Sequence, residues 1–131
     1  MSKRIQIPIS PGELLDKLSI LEIKRERMSD PGKLENVRRE HELLSEVWAD
    51  AGLETDEVTA LRARLLEVNE RLWRIEDAIR DCERERNFGE RFVSLARSVY
   101  LENDERAALK KTINLALGSD IVEEKSYADY R

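Results

Sequence analysis

One run of apolar residues between positions 61 and 79 constrains the fold more than any other feature of the sequence. Its members are spaced alternately four and three residues apart: Leu61, Leu65, Val68, Leu72, Ile75 and Ile79. Because an α-helix turns by about 100° per residue, this spacing gathers all six side chains into one narrow stripe, as in a coiled-coil seam. The seam predicts a long helix that packs against other helices.

Capping residues divide the chain into four predicted helices. Ser10 precedes Pro11 and Asp30 precedes Pro31, which is the usual order at a helix start, and Glu13 is placed to complete a capping box with Ser10. Glycines follow two of the expected helix ends. We therefore predict helices over residues 11–28, 31–51, 56–86 and 90–117, with a hairpin turn at residues 87–89. Short connections favour an all-α antiparallel bundle, and the length favours a single domain over residues 1–131.

Short extended arms are predicted at both ends, over residues 1–9 and 119–131. Ile5, Ile7 and Ile9 recur at the period of two that is typical of extended chain. We expect both arms to pack on the bundle or on a partner chain.

The predicted first helix is apolar on two sides. Leu18 and its apolar neighbours occupy one side, while Ile20 and Ile23 point almost the opposite way. A helix of this kind must be covered on both sides. The pattern predicts that an arm or a partner subunit covers the second side, and it favours a homo-oligomer, with a dimer as the simplest case.

Charge and cysteine content restrict the classes of partner. The formal net charge is -5, although 39% of the residues are charged, so the chain lacks the basic footprint of a general nucleic-acid binder. No apolar run approaches a membrane span. Cys82 is the only cysteine and His41 the only histidine, so we predict no metal site and no cofactor. The expected location is the cytoplasm.

A stripe of the predicted fourth helix that should be apolar contains amides and cations. Its members are Val99, Asn103, Arg106, Lys110, Ile113, Asn114 and Leu117. In an antiparallel hairpin with the preceding helix, residue 76 lies level with 100, 73 with 103, 69 with 107 and 66 with 110. Polar residues of three helices are thus expected to converge in the middle of the bundle.

Two interpretations of this convergence are open. One is a closed network of buried ion pairs that fixes helix register, for example Glu76 with Arg106 and Glu22 with Lys110. The other is a polar pocket for a small anionic ligand, a common site between helices of a bundle. The candidate ligand-binding residues are Asp16, Lys17, Glu22, Asn69, Trp73, Glu76, Tyr100, Asn103, Arg106 and Lys110.

Two carboxylate pairs, Glu13 with Asp16 and Glu67 with Glu70, have the spacing that all-α nucleotide pyrophosphatases use to hold Mg²⁺. Glu67 and Glu70 point away from the seam, however, which disfavours a shared metal site.

Several stretches resemble a family of small bacterial proteins known only as a domain of unknown function. They are "PISPGELLDKLSILEIK" (8–24), "VRREHELL" (37–44), "LWRIEDAIRDCE" (72–83), "RFVSLARSVYLENDERAALKKTINLALGS" (91–119) and "VEEKSY" (122–127). The resemblance covers almost the whole chain and implies a bacterial, cytoplasmic and mostly helical protein. It implies no activity.

The sequence therefore supports two functions of different classes. The first is a non-enzymatic interaction or self-association module, favoured by the two-sided first helix and the apolar arms. The alternative is a small all-α enzyme or ligand-binding protein with an anion pocket inside the bundle.

Overall fold

Four α-helices form in the computed structural model, which describes residues 3–130. They are α1 (Pro11–Arg27), α2 (Pro31–Ala51), α3 (Asp56–Glu85) and α4 (Glu90–Ala116). No strand occurs among these described residues, so the predicted all-α class is confirmed. Each helix begins at the predicted residue and ends within one residue of the predicted end. The ends of the predicted arms, at Met1, Ser2 and Arg131, lie outside the described residues.

Side-chain caps explain three of the four helix starts. The hydroxyl of Ser10 accepts a hydrogen bond from the amide of Glu13 at 3.2 Å, and that of Thr55 accepts one from Val58 at 3.1 Å. Asp30 accepts from Gly32 at 3.1 Å. Each cap satisfies an amide that the helix itself leaves without an acceptor.

The turn between α3 and α4 lies at the predicted residues 87–89, and the residue before it adopts a left-handed backbone conformation. The left-handed position is Arg86, with φ of 53°, rather than a glycine. Gly89 has φ of -82° and precedes α4 without a side-chain cap. Arg86 therefore adopts a left-handed conformation that is strained for any residue other than glycine.

The main core lies where α1 crosses the α3/α4 hairpin. α1 packs against each of the other three helices, and α3 packs against α4. The buried cluster contains Leu14, Leu15, Leu18, Trp48, Val58, Leu61, Leu65, Val68, Leu72, Leu109 and Ile113. The first four seam residues of α3 belong to it, whereas Ile75 and Ile79 are only half-buried.

On the second apolar side of α1, Ile23 is covered by α2 rather than by the predicted arm or partner subunit, whereas Ile20 is only half-buried and borders an open cleft. His41 of α2 lies 3.3 Å from Arg25 and 3.8 Å from Glu22, which places the C-terminal half of α1 against α2. Ile23 and Val37 are buried. Because the connection is short, the next helix in sequence, α2, can pack on this side. The periodicity of α1 shows that the side is apolar but not which element packs on it.

The two arms behave differently. After Gly118, the C-terminal arm runs back along α4, and the ring of Tyr130 packs edge-on against Tyr100 with centroids 5.1 Å apart. In the N-terminal arm, Ile9 packs against the core, but Ile5 is 92% exposed. None of the helices in residues 3–130 carries an apolar stretch long enough to cross a bilayer.

Candidate functional site

The first turn of α1 approaches the backbone of α4 very closely at Gly12. A Cβ atom at this position would lie 2.5 Å from the carbonyl oxygen of Lys110 and 2.9 Å from Oδ1 of Asn114. The amide of Gly12 donates a 2.7 Å hydrogen bond to that same Oδ1, and Asn114 is buried. Asn114 thus satisfies one of the free amides at the helix start from 102 residues away.

One turn further along α1, Asp16 forms a two-point ion pair with Arg106 of α4. The Arg106 Nε donates to Oδ1 at 2.9 Å, and Nη2 donates to Oδ2 at 2.5 Å. Asp16 is only 1% exposed. Two parallel hydrogen bonds of this kind fix orientation as well as distance, so the pair sets how α1 lies on α4.

Asn69 extends the cluster to α3. Its Nδ2 donates to Oδ1 of Asp16 at 2.9 Å and to the hydroxyl of Ser19 at 2.7 Å. The Ser19 hydroxyl in turn donates to the backbone carbonyl of Asp16 at 2.8 Å. The predicted convergence of polar residues from three helices is therefore present, with Asp16 at its centre.

Lys110 lies between three carboxylates. Its Nζ is 2.6 Å from Glu13, 3.7 Å from Asp16 and 3.2 Å from Glu123 of the C-terminal arm. The lysine side chain is 11% exposed, whereas that of Glu123 is 60% exposed. Lys110 thus joins the start of α1 and the C-terminal arm to the same turn of α4.

These contacts govern the protonation of the cluster. Burial acts to raise the pKa of Asp16, but hydrogen bonds from Arg106 and Asn69, with the charges of Arg106 and Lys110, hold that pKa below its usual 3.8. Burial acts to lower the pKa of Lys110, yet Glu13 and Asp16 raise it above the usual 10.5. Both groups therefore remain charged at neutral pH.

A family model described as a family of unknown function, DUF6165, matches residues 5–130. The chain belongs to this family. The match includes all four helices, the polar cluster and most of both arms, and it agrees with the family resemblance of the sequence. No curated protein matches the DUF6165 chain. No solved structure matches it either.

The predicted ion-pair partners within this DUF6165 chain are wrong. Glu76 pairs with Arg80 on its own helix at 2.5 Å, rather than with Arg106. Glu22 lies beside His41 of α2, rather than beside Lys110. The reason is geometric: helical spacing gives the face on which a side chain lies but not the angle at which α1 crosses the hairpin.

The ten predicted ligand-binding residues are distributed over different parts of the molecule. Asn69, Trp73, Glu76, Asn103 and Arg106 border an open cleft of about 460 Å³, beside Ile20 of α1. Asp16 and Lys110 belong to the ion-pair cluster with Arg106 and Glu13. The remaining three lie apart from the cleft: Lys17 pairs with Glu13 at 3.8 Å, Glu22 faces α2, and Tyr100 packs beneath the C-terminal arm.

Sequence reasoning missed four members of the cluster: Gly12, Glu13, Ser19 and Glu123. Glu13 was expected to complete the capping box, but its carboxylate binds Lys110 instead. A usable signal existed in the spacing, because Gly12, Asp16 and Ser19 fall on one stripe of α1 just as Arg106, Lys110 and Asn114 do on α4.

The described residues contain no group of three or more His, Cys, Asp or Glu side chains placed to hold a metal ion. Glu13 and Asp16 are engaged with cations. Cys82 is buried and unpaired.

Proposed function

We propose that this chain is a non-enzymatic interaction module that self-associates as a homodimer through the distal hairpin, defined as residues 73–101 of α3 and α4. The observation that carries this proposal is the change in burial along the α3 seam. Its four residues from Leu61 to Leu72 are buried, but Ile75 and Ile79, which continue the same strict spacing, are half-buried. The seam thus continues into a part of the hairpin where α3 and α4 pack on each other and no third helix covers them.

Apolar side chains of α4 and the turn add to this uncovered surface. Phe92, Leu95 and Val99 are half-buried, while Phe88 is 50% and Val93 is 51% exposed. An apolar patch rimmed by charged residues is typical of a protein interface. Two such hairpins packed together would make a four-helix bundle and would complete the coiled-coil seam.

The charge pattern favours a second copy as the occupant. Residues 74–97 carry six cations and six anions: Arg74, Arg80, Arg84, Arg86, Arg91 and Arg97, against Glu76, Asp77, Asp81, Glu83, Glu85 and Glu90. Two identical chains with net charge -5 repel each other overall, but this segment is neutral and contains both signs. A two-fold interface can therefore place acids of one copy opposite bases of the other.

The alternative, an enzyme or carrier with an anion pocket, has less support. Arg106 is bound on two nitrogens by Asp16, and Lys110 is within 4 Å of three carboxylates. An anionic ligand would have to displace these partners. The ion pairs with Asp16 and Glu13 satisfy both cations of the α4 stripe without a ligand.

The proposal also places the module in a bacterial cytoplasm. The family resemblance implies this setting, and a buried, unpaired cysteine suits a reducing compartment. Fractionation of cells that express a tagged chain tests it. Recovery in the envelope fraction would contradict it.

The test of self-association is the molar mass in solution, measured by light scattering and sedimentation velocity. At tens of micromolar, the wild-type chain is expected to have twice the 15.3 kDa mass of one chain. Val93→Glu is expected to yield monomers, because it places a charge in the interface. Val47→Glu on α2 is the matched control, since Val47 is 48% exposed and lies outside the distal hairpin.

Circular dichroism of each variant establishes that the helices are retained. A wild-type chain that remains monomeric at high micromolar concentration would overturn the proposal. So would a dimer that Val47→Glu dissociates and Val93→Glu does not.

A further inference from the structure

The geometry points to a binding site for an uncharged nucleobase or nucleoside in the cleft between α1, α3 and α4. This inference does not rest on self-association, although one side of the cleft, at Trp73, Glu76, Asp77 and Arg80, belongs to the distal hairpin. The cleft has a volume of about 460 Å³, within the range of small-molecule sites, and its floor contains Asn69, Asn103 and Arg106.

Asn69 presents an unused acceptor to this cleft. The carboxylate of Asp16 can only accept hydrogen bonds, so the side-chain nitrogen of Asn69 must face it and the oxygen Oδ1 must face away. Within residues 3–130, no group donates to this oxygen, although Asn69 is only 5% exposed. Every fully buried side-chain N or O atom among those residues has a partner. The oxygen therefore reaches open space, and Asn69 borders the cleft.

Donors lie beside this acceptor. Nε and Nη2 of Arg106 are used by Asp16, which leaves Nη1 with one long contact, 3.4 Å, to Oδ1 of Asn103. That contact turns the side-chain nitrogen of Asn103 away from Arg106, and no acceptor in the described part of the chain binds it. The floor thus offers donors next to an acceptor. The hydrogen-bonding edge of every nucleobase carries the complementary pair, an acceptor beside an N–H donor.

The walls of the cleft suit a flat ring. The half-buried indole of Trp73 borders the cleft with Leu72 and Ile20. Aromatic side chains bind bases by stacking, largely independently of base identity. An indole wall above a polar floor is therefore suited to a planar heterocycle.

The charges at the rim select an uncharged ligand. Glu76 and Arg80 neutralise each other in a 2.5 Å pair. Asp77 also borders the cleft, and it has no cationic partner within 4 Å among the described residues. A phosphate would meet this carboxylate, so the site favours a base or nucleoside over a nucleotide.

Nitrogen–proton correlation spectra of the isotopically labelled wild-type chain test the inference directly. Adenosine, cytidine, guanosine and uridine are each added up to about 5 mM, which detects a Kd in the millimolar range or below. We expect at least one nucleoside to shift the indole N–H of Trp73 and the side-chain amides of Asn69 and Asn103 saturably. The indole N–H of Trp48, which donates to Glu54 at 3.1 Å and does not border the cleft, is the internal reference.

Two variants locate the site. Asn103→Ala is expected to weaken binding by about tenfold, because it removes a donor of the floor. Asn36→Ala, at an exposed position of α2, is the matched control and should bind like the wild-type chain. Val93→Glu is expected to be monomeric. The same titrations on this variant therefore show whether nucleoside binding requires self-association.

The inference is overturned if no nucleoside gives a saturable shift of Trp73, or if Asn36→Ala weakens binding as much as Asn103→Ala. Tighter binding of the corresponding 5′-monophosphate would overturn the uncharged ligand class, and an equal response to acetamide would overturn the requirement for a stacked ring.

Discussion

At the scale of single residues, the contacts between α1 and α4 combine a steric requirement with an electrostatic one. Gly12 allows the two backbones to approach, and Asp16 then meets Arg106 in two-point geometry. A buried ion pair of this kind adds little net stability, because desolvation offsets the attraction, but it penalises every other arrangement of the helices. The pair is therefore a determinant of register.

Gly12→Ala is expected to lower the free energy of unfolding by about 2 kcal/mol, because the new methyl group would overlap the carbonyl oxygen of Lys110 and force α1 away from α4. Gly32→Ala is the matched control. Gly32 also follows the proline that begins a helix, but the nearest atom to its Cβ would be 3.6 Å away. Urea unfolding of both variants measures the difference, and equal losses would refute the steric role of Gly12.

At the scale of helices and turns, much of the structure was predictable from sequence. Caps and periodicity are local, so the four helix ranges and the position of the turn were correct. The crossing of α1 over the hairpin depends on packing between distant segments, so Glu22 and Glu76 were assigned as partners in place of Asp16 and Glu13. The polar stripes of α4 and α1 could both be predicted from spacing, but which side chains pair between them could not.

Arg86→Gly is expected to stabilise the chain by about 0.5–1 kcal/mol, because Arg86 adopts a left-handed conformation that glycine adopts without strain. Arg84→Gly, inside the last turn of α3, should destabilise it by a similar amount. Thermal unfolding of the two variants should therefore move the Tm in opposite directions. A decrease in both would show that the conformation of Arg86 is not the source of strain.

At the scale of the whole molecule, acid sensitivity follows from the two carboxylates whose pKa is lowered by folding, Asp16 and Glu54. Burial acts to raise the pKa of Glu54, but hydrogen bonds from Trp48, Thr59 and Arg62 lower it below its usual 4.5. Glu54 is the more exposed of the two carboxylates, so its contribution to stability is smaller. A group whose pKa is lower in the folded chain stabilises that chain above its unfolded pKa and loses this effect as the pH falls.

The wild-type chain is therefore expected to lose stability steeply below about pH 4, through the range between the unfolded and folded pKa values of Asp16. Asp16→Asn should be less stable at pH 7, by about 3 kcal/mol, because Arg106 loses its charged partner. Its further loss between pH 5 and pH 3 should be smaller than that of the wild-type chain. Urea midpoints at these pH values measure both effects, and parallel pH profiles would contradict the role of Asp16.

The distance along the chain between Asp16 and Arg106 also has a consequence in time. Their pairing joins residues 90 positions apart, and α1 leaves the ribosome long before α4 does. At about 5–20 residues per second, the interval between their synthesis is roughly 5–20 s. For that interval the nascent α1 carries Asp16, Leu14 and Leu18 without the α4 surface that later buries them. The fold can therefore close only after α4 has been synthesised, and until then the nascent chain is a substrate for chaperones and proteases.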